Sequence, residues 1–184
     1  MRIAGVDYSL RCPAVCVFDG NKKFSIADCS FHFICSTKKY DAKFAHSIHG
    51  SFLPEYKHEC ERYNILSEWV LGLVDKCDFV CVEDYAFAAK GKVFHIGENT
   101  GILKHKMWSK GINYSTIAPT QIKKFATGRG NARKEDMYAA FIAETKVNLV
   151  ATLTTNSKQI KSPVSDLADA YYICKYGHHL ACKP

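Results

Sequence analysis

The alternation of apolar and polar residues predicts strands at the start of the chain and helices further on. Residues 2–8, 14–19 and 23–35 each have the short, β-rich apolar pattern of a strand. The turn residues Asp19 and Gly20 separate the second strand from the third as a hairpin. We therefore expect three antiparallel strands at the N-terminus.

A polar segment over residues 37–56 is expected to be a loop, after which helical and strand patterns alternate. Apolar spacing predicts helices over 57–76, 92–110 and 133–146, and buried strands over 78–84 and 112–118. Pro119 suits the first turn of a short helix that carries Lys123 and Lys124. Residues 147–161 show no regular pattern and are expected to be irregular.

The last predicted helix begins at a capping pair. Ser162 is a favoured N-cap residue, and Pro163 is favoured at the first helical position. We expect this helix to extend to about Tyr176. His178 and His179 are then expected to lie in a fraying C-terminal tail.

This order of elements predicts an α/β fold with helices on both faces of a mixed five-stranded sheet, made of three antiparallel N-terminal strands plus parallel strands. No repeat or linker interrupts residues 1–184, so a single domain is expected. The sequence has neither a signal peptide nor an apolar run long enough for a membrane helix. Its 9 cysteines include no CxxC pair, which favours free thiols and the reducing cytoplasm.

Positive charge is concentrated in the middle of the chain. Between Tyr85 and Lys134 the only acidic residue is Glu98, whereas basic residues stand at positions 90, 92, 104, 106, 110, 123, 124, 129, 133 and 134. Acidic residues match or outnumber basic ones in the rest of the chain. A local basic surface of this kind attracts polyanions such as nucleic acid. The same charges also fit a solvated lysine face.

Two carboxylates stand at the ends of predicted buried strands. Asp7 follows the apolar run of the first strand, and Glu83 follows the apolar run over 79–82. An ionised carboxylate in apolar surroundings is costly unless it is paired. Ligand sites of open α/β sheets lie where strands end, which suits both positions. Each acid alone also fits a simple cap of a loop.

Asp166 and Asp169 lie three residues apart on the last predicted helix and therefore share one face. Neither has a basic neighbour four residues on, so their repulsion is unrelieved within the helix, and a divalent cation would relieve it. Both lie in the first two turns, where the helix dipole favours the ionised form. The pair alone also fits an exposed acidic face.

Together these carboxylates supply the oxygen ligands that Mg²⁺ or Mn²⁺ prefers. Two such ions hydrolyse phosphodiesters by activating a water and stabilising the leaving 3′-oxygen, without a nucleophilic side chain. The chain has no recognisable Ser/His/Asp elbow or Walker-type phosphate loop, which is consistent with that chemistry. We predict a catalytic site for two ions at Asp7, Glu83, Asp166 and Asp169.

Four segments resemble, in order and spacing, the signature segments of RuvC-type Holliday junction resolvases, whose fold is RNase H-like. They are GVDYS (5–9), VCVEDY (80–85), GRGNARKED (128–136) and SDLADAYYIC (165–174). The resemblance spans nearly the whole chain and implies that the four carboxylates are the metal ligands of a DNA endonuclease. It also implies a homodimer that cuts two strands symmetrically. The small size and the cysteine content indicate a phage-encoded member.

The chain departs from the family pattern near the expected centre of the junction. RuvC-type enzymes carry an aromatic wedge three residues after the catalytic glutamate, where this chain has Ala86. Tyr85 and Phe87 flank that position, and either is a candidate for stacking on an unpaired base. Either also fits a place in the core.

The predicted phosphate contacts come from two basic segments. GRGNARK offers backbone N–H groups and cations just before a helix N-terminus, which suits phosphate binding. Such contacts position DNA without determining sequence preference. The predicted DNA-binding cations are Lys90, Lys92, Lys123, Lys124, Arg129, Arg133 and Lys134.

Other functions remain compatible with parts of this pattern. An RNase H-like nuclease acting on flaps, branched replication DNA or RNA–DNA hybrids needs the same metal site. An actin-like ATPase or sugar kinase also begins with a GxDxS-like strand, but it needs a second phosphate loop that this sequence lacks. A non-catalytic DNA-binding scaffold has no reason to retain four mutually repelling acids. The resemblance favours a junction-resolving endonuclease.

Overall fold

The structure is a computed structural model that describes residues 1–21, 23–85, 93–153 and 159–183. Its strands are β1 (Arg2–Asp7), β2 (Ala14–Asp19), β3 (Cys29–Cys35), β4 (Lys43–Phe44), β5 (Ile48–Phe52), β6 (Phe79–Glu83) and β7 (Tyr114–Ile117). Its helices are α1 (Glu59–Val74), α2 (Val93–Ser109), α3 (Pro119–Thr127), α4 (Lys134–Thr145), α5 (Leu149–Leu153) and α6 (Val164–Ala181).

The strands form one mixed sheet in the order β4-β5-β3-β2-β1-β6-β7. Strand β1 pairs antiparallel with β2, and β2 pairs antiparallel with β3, as the N-terminal pattern predicts. Strands β6 and β7 extend the sheet from β1 in parallel pairing. The α/β fold with a mixed sheet is thus confirmed, but the sheet has 7 strands where five were predicted.

The two additional strands lie in the segment 37–56, for which a loop was predicted. Strand β5 pairs parallel to β3, and the two-residue β4 pairs antiparallel to β5. The pattern conceals β5 because its sequence is IHGSF, in which polar residues and a glycine interrupt the apolar run. The glycine is required by packing: a Cβ on Gly50 would lie 1.9 Å from the carbonyl oxygen of Tyr40.

Two other predicted boundaries were wrong. Residues 23–35 do not form one strand, because a short 3-10 turn over Ile26–Asp28 precedes β3. The Ser25 hydroxyl accepts a hydrogen bond from the Ala27 N–H and so stabilises this turn. Residues 147–161 are not wholly irregular either, since they contain α5.

Helix α6 begins later and ends later than predicted. Its N-cap is Pro163 rather than Ser162, and the helix continues to Ala181. The expected tail is helical because it packs on the sheet: a Cβ on Gly177 would lie 2.9 Å from the Cβ of Cys81. His178 is buried, with its ring centroid 5.1 Å from that of Phe18.

Helices cover both faces of the sheet, as predicted. Helices α1 and α2 pack on one face over the core that contains Val6, Val82 and Leu66. Helices α3 to α6 pack on the other face, where Phe31, Phe141 and other large side chains are buried. Among the described residues, no helix has both the length and the apolar character that crossing a membrane requires.

Helix α6 lies unusually close to β1 because of Gly5. A Cβ on Gly5 would lie 2.1 Å from the backbone nitrogen of Cys174 and 2.5 Å from the carbonyl oxygen of Ala170. Only glycine therefore permits this contact between strand and helix. One further turn toward the start of α6 carries the acids Asp166 and Asp169 over the end of β1.

Candidate active site

Four acidic side chains line one cavity at the carboxyl ends of the inner strands β1 and β6. Asp7 ends β1 and Glu83 ends β6, directly after the paired residues Val6 and Val82. Asp166 and Asp169 reach the same cavity from the first turns of α6, and its volume is about 750 Å³. The structure thus brings together the four carboxylates that the sequence analysis singles out.

The four acids are electrostatically unfavourable neighbours. Burial raises the pKa of Asp7 well above its usual range, and repulsion from Glu83 and then from the two α6 acids raises it further. Burial, followed by repulsion from Asp169, raises the pKa of Glu83 to about 8. Burial, followed by repulsion from Asp166, raises the pKa of Asp169 to about 7. Negative charge accumulates here at a cost that a bound cation would offset.

The donor atoms are suited to a divalent cation. The Asp166 Oδ1 atom accepts a hydrogen bond of 2.9 Å from the Ser165 hydroxyl. Its Oδ2 atom is buried and has no hydrogen-bond partner within the described parts of the chain, which is unfavourable for a carboxylate unless a cation binds it. Within the same ranges no three His, Cys, Asp or Glu side chains are already arranged as a metal site. The side chains would therefore have to reorient for three of these groups to share one ion.

Two of the predicted DNA-binding lysines line this cavity. Lys123 comes from α3, and Lys134 is the first residue of α4. Both lysines counteract the upward shift of the pKa values of Glu83 and Asp169. The Lys134 Nζ atom lies 3.4 Å from the Ser165 hydroxyl oxygen. These two cations therefore act on the carboxylates as well as on any phosphate that enters the cavity.

The remaining predicted cations lie outside the cavity or outside the described residues. Lys124 is exposed on α3, and Arg129 forms an ion pair of 3.4 Å with Asp136. Arg133 is the N-cap of α4, and its backbone N–H donates to the Asp136 carboxylate at 3.0 Å. Lys90 and Lys92 lie outside the described residues.

Of the two aromatic candidates, Tyr85 is described and Phe87 lies outside the described residues. Tyr85 lines the cavity and is 37% exposed, so it is not a core residue. Its ring lies under the Lys104 ammonium group, and the 5.2 Å from the nitrogen to the ring centroid is within the limit of about 6 Å for a cation–π contact. Lys104 also pairs with Asp84 at 3.0 Å. Tyr85 is thus held at the mouth of the site.

Two arginines of the cavity wall, Arg11 and Arg62, were not predicted from the sequence. Arg62 is buried, and its guanidinium donates to the carbonyl oxygen of Leu10, in the segment that follows Asp7. Arg62 lies four residues before Leu66 and eight before Val70, so the helical spacing places it on the apolar face of α1. An arginine on such a face requires a buried partner, and this could have predicted its position.

No protein-family model matches the chain. In sequence the chain is similar to the crossover junction endodeoxyribonuclease RuvC of Helicobacter pylori (strain G27). The two are 26% identical over 164 residues, which cover 83% of this chain and 86% of that protein.

Solved structures show the same fold. One is Thermus thermophilus RuvC in complex with a Holliday junction substrate, with a TM-score of 0.63, 16% identity and coverage of 100% of this chain and 99% of that chain. Another is the fowlpox virus resolvase in complex with substrate Holliday junction DNA. Its TM-score is 0.56, it is 15% identical, and the match covers 100% of this chain and 100% of that chain. The chain is thus similar in sequence to RuvC along most of its length, and it shares the fold of these Holliday junction resolvases along its whole length.

Proposed function

We propose that this protein is a metal-dependent, structure-specific DNA endonuclease that resolves four-way junctions by paired symmetric nicks. Residues 1–184 act as a single nuclease domain in this proposal, in the cytoplasm of a bacterial or phage-infected cell. The observation that carries it is the convergence of four acids on one cavity in a chain with the RuvC fold. Repulsion among these four carboxylates would be unfavourable in a protein that bound no cation there.

The proposed metal ligands are Asp7, Glu83, Asp166 and Asp169. Mg²⁺ or Mn²⁺, bound as two ions, supplies an activated water and stabilises the leaving 3′-oxygen of a phosphodiester. Asp7 and Glu83 hold their positions because the sheet fixes the strand ends, and Arg62 restrains the segment after Asp7 through Leu10. The Asp166 Oδ2 atom, which has no hydrogen-bond partner among the described residues, and the raised pKa values of Glu83 and Asp169 support this assignment.

The lysines of the cavity wall orient the DNA backbone in this proposal. Lys123 and Lys134 lie beside the carboxylates, where a scissile phosphate must enter. Lys124, Arg129 and Arg133 contact flanking phosphates, as do Lys90 and Lys92. Tyr85 at the mouth of the cavity, together with Phe87, stacks on bases near the branch point.

Four-way DNA is the proposed substrate because both structural relatives described above hold it. Thermus thermophilus RuvC and the fowlpox virus resolvase were each solved with Holliday junction DNA. The excess positive charge of the segment between Tyr85 and Lys134 suits a branched polyanion. Flaps and RNA–DNA hybrids need the same chemistry and are distinguished by experiment.

Paired nicks require two active sites, and α2 offers a surface for a second copy of the chain. Five exposed positions of this helix form one stripe, whose residues are Phe94, Glu98, Gly101, His105 and Trp108. Phe94 is 84% exposed and Trp108 is 72% exposed, which is unusual for large apolar side chains. A Cβ on Gly97 or Gly101 would meet nothing within 4 Å, so another helix can approach closely there.

The stripe is self-complementary when two copies pack antiparallel around Gly101. Phe94 of each copy then lies opposite Trp108 of the other, because both are seven residues from the centre. Glu98 of each copy lies opposite the basic end of the stripe at His105. An isologous contact of this kind gives the two-fold symmetry that a four-way junction shares. We therefore propose a homodimer formed through the α2 stripe.

The function is tested with a synthetic four-way junction in Mg²⁺ or Mn²⁺, beside linear duplex, flap and RNA–DNA hybrid substrates. Asp7→Asn and EDTA serve as blanks. The expected result is a pair of symmetric nicks in the junction, absent from both blanks and from the linear duplex. Equal or faster cleavage of flaps or hybrids would keep the metal site and replace the proposed substrate. Cleavage of nothing would overturn the nuclease, and binding without cleavage would indicate a scaffold.

A further inference from the structure

Two cysteines face each other at the end of the β2–β3 pairing. Ala14 and Phe33 are partners in the antiparallel register, and the Ile34 N–H donates to the Pro13 carbonyl oxygen at 3.2 Å. Two residues further along each strand, the same register sets Cys12 opposite Cys35. Because Pro13 has no N–H, the hydrogen-bonded ladder ends here, but the side-chain pairing continues beyond it.

The register also fixes the separation of the two backbones. Hydrogen-bonded and non-hydrogen-bonded pairs alternate along an antiparallel ladder. Because Pro13 and Ile34 form a hydrogen-bonded pair, the pairs on either side of it, Ala14–Phe33 and Cys12–Cys35, are of the non-hydrogen-bonded type. Opposite Cα atoms in such pairs lie about 4.5 Å apart, which is within the range of about 4.4–6.8 Å that a disulfide spans. Both side chains point to the same face of the sheet, beneath α6, as do those of Ala14 and Phe33.

The two thiols are close enough to interact, with Cys12 as the donor toward Cys35, and both side chains are buried, with 3% and 7% exposure. The interaction with Cys12, assisted by hydrogen bonds from Thr37 and opposed by burial, lowers the pKa of Cys35 to about 6. Cys35 is the last residue of β3, and Ser36 after it is exposed, so a small reagent needs little opening of the structure to reach this sulfur.

The other two cysteines of β2 and β3, Cys16 and Cys29, have less suitable geometry. Cys16 is opposite Phe31 and Cys29 is opposite Phe18, so those two thiols are diagonal neighbours rather than partners. Cys16 is also fully buried, at 0% exposure. Cys12 and Cys35 are therefore the cross-strand partners nearest to solvent on this face of the described sheet.

We propose that Cys12 and Cys35 are a thiol modification site that forms a reversible disulfide in the folded protein. The oxidant is a low-molecular-weight disulfide such as oxidised glutathione. The Cys35 thiolate attacks one sulfur of the reagent, forms a mixed disulfide and releases one glutathione thiolate, which takes up a proton. The Cys12 sulfur, after losing its proton, attacks the Cys35 sulfur and releases the second glutathione. One disulfide is reduced and one is formed, so the electrons balance.

The bridge would close the chain from Cys12 to Cys35 and fasten the segment after Asp7 to β3. That segment is already held by the hydrogen bond from the Cys12 N–H to the Ser9 hydroxyl, at 3.1 Å. Closing a loop of this length restricts the unfolded chain, so the bridged protein should melt several degrees higher than the reduced protein. This modification goes beyond the nuclease activity and does not depend on it.

The test uses the full chain with Cys60→Ser and Cys182→Ser, which remove the two exposed thiols. The folded protein is incubated with oxidised glutathione, its free thiols are alkylated, and its peptides are mapped without reduction. The expected product is a linked pair of peptides that contain Cys12 and Cys35, with two hydrogens lost. Dithiothreitol should restore both thiols, and the melting temperature should fall back with them.

The variants separate the steps of this reaction. Cys12→Ser should stop at a glutathione adduct on Cys35, whereas Cys35→Ser should leave Cys12 unmodified. Both thiols recovered as alkylated products, a stable glutathione adduct in the parent protein, or a bridge between other cysteines would overturn the proposal. The peptide masses of the oxidised parent protein show whether the Cys12–Cys35 disulfide has formed, even where a serine variant fails to fold. It is also independent of DNA cleavage, so failure of the nuclease proposal would not affect it.

Discussion

Asp7 and Glu83 leave the sheet side by side, because the residues before them, Val6 and Val82, are paired in the parallel register of β1 and β6. Each strand ends at its acid, so the backbone fixes where both carboxylates begin. Burial raises the pKa values of both groups, and repulsion adds to the increase, from Glu83 in the case of Asp7 and from Asp169 in the case of Glu83. Positions this rigid suit a bound cation, whereas two free acids would be more favourably placed in solvent.

Asp7→Asn should abolish most cleavage while leaving the metal-free protein folded. The substitution removes one proposed metal ligand, and we expect a loss of at least about 100-fold in the rate of junction cleavage. The melting temperature in EDTA should not fall, because a repelling acid has been removed. Asp41→Asn is the matched control, since Asp41 is exposed and does not line the cavity. An active Asp7→Asn protein would remove Asp7 from the proposed site.

The sequence predicts the acids of the cavity better than it predicts the outer strands and the ends of the helices. Strand-end acids and an acidic pair at helical spacing identify all four cavity carboxylates, because ionisable groups contrast strongly with the apolar runs beside them. The Gly5 contact, which brings α6 onto β1, depends on packing between segments far apart in sequence and has no local signature. The sequence pattern therefore identifies the four acids and suggests a shared metal site, but it does not reveal the packing that brings them together.

The wrong predictions for β5 and the end of α6, and the failure to predict the position of Arg62, have physical causes. Strand β5 was missed because Gly50 and the polar residues of its other face interrupt the apolar pattern that signals a strand. The end of α6 was missed because His178 was assumed to prefer solvent, whereas Phe18 and Phe24 enclose its ring. Arg62 was missed because periodicity places residues on a helix face without revealing what a charged side chain contacts there.

The metal-free protein should lose stability as the pH rises from about 4.5 to about 8. Folding raises the pKa of Glu83 from 4.5 to about 8 and that of Asp169 from 3.8 to about 7. The folded state therefore binds more protons than the unfolded state in this window, and the resulting stability is lost as these groups ionise. Melting temperatures in EDTA should fall between pH 5 and pH 8, as measured by circular dichroism.

Divalent metal should reduce this pH dependence, because bound cations compensate the ionised carboxylates. Mg²⁺ or Mn²⁺ at saturating concentration should raise the melting temperature more at pH 8 than at pH 5. Glu83→Gln should flatten the profile in EDTA, since it removes a carboxyl group whose pKa rises from 4.5 to about 8 on folding. A profile in EDTA that rises with pH would contradict the assigned pKa directions.

Adjacent lysines on α3 should have different effects. Lys123 lines the cavity and acts on Glu83, so Lys123→Ala should lower the cleavage rate about tenfold, equivalent to roughly 1.4 kcal/mol. Lys124 is exposed, so Lys124→Ala should weaken junction binding a few-fold and reduce the salt dependence of binding by about one phosphate contact. Single-turnover cleavage and salt-dependent binding separate the two effects. Equal effects on both quantities would contradict the assignment.

A charge at the centre of the α2 stripe should dissociate the proposed dimer. Two copies packed antiparallel bring their Gly101 residues together, so Gly101→Glu would place two like charges and two added side chains at the crossing point. Gly72→Glu is a matched control, because Gly72 is also exposed within a helix and a Cβ there would also meet nothing within 4 Å. Both substitutions replace a helical glycine with a better helix former, so neither should destabilise the fold.

Sedimentation velocity should therefore give a dimer for the parent and for Gly72→Glu, and a monomer for Gly101→Glu. The monomer should retain the metal-dependent stabilisation of the carboxylate site, since that site lies within one chain. It should nick one strand of a junction without the paired second cut, because symmetric cleavage requires two sites held by one two-fold axis. A Gly101→Glu protein that remains dimeric would place the interface on another surface, and paired cuts by a monomer would remove the need for a dimer.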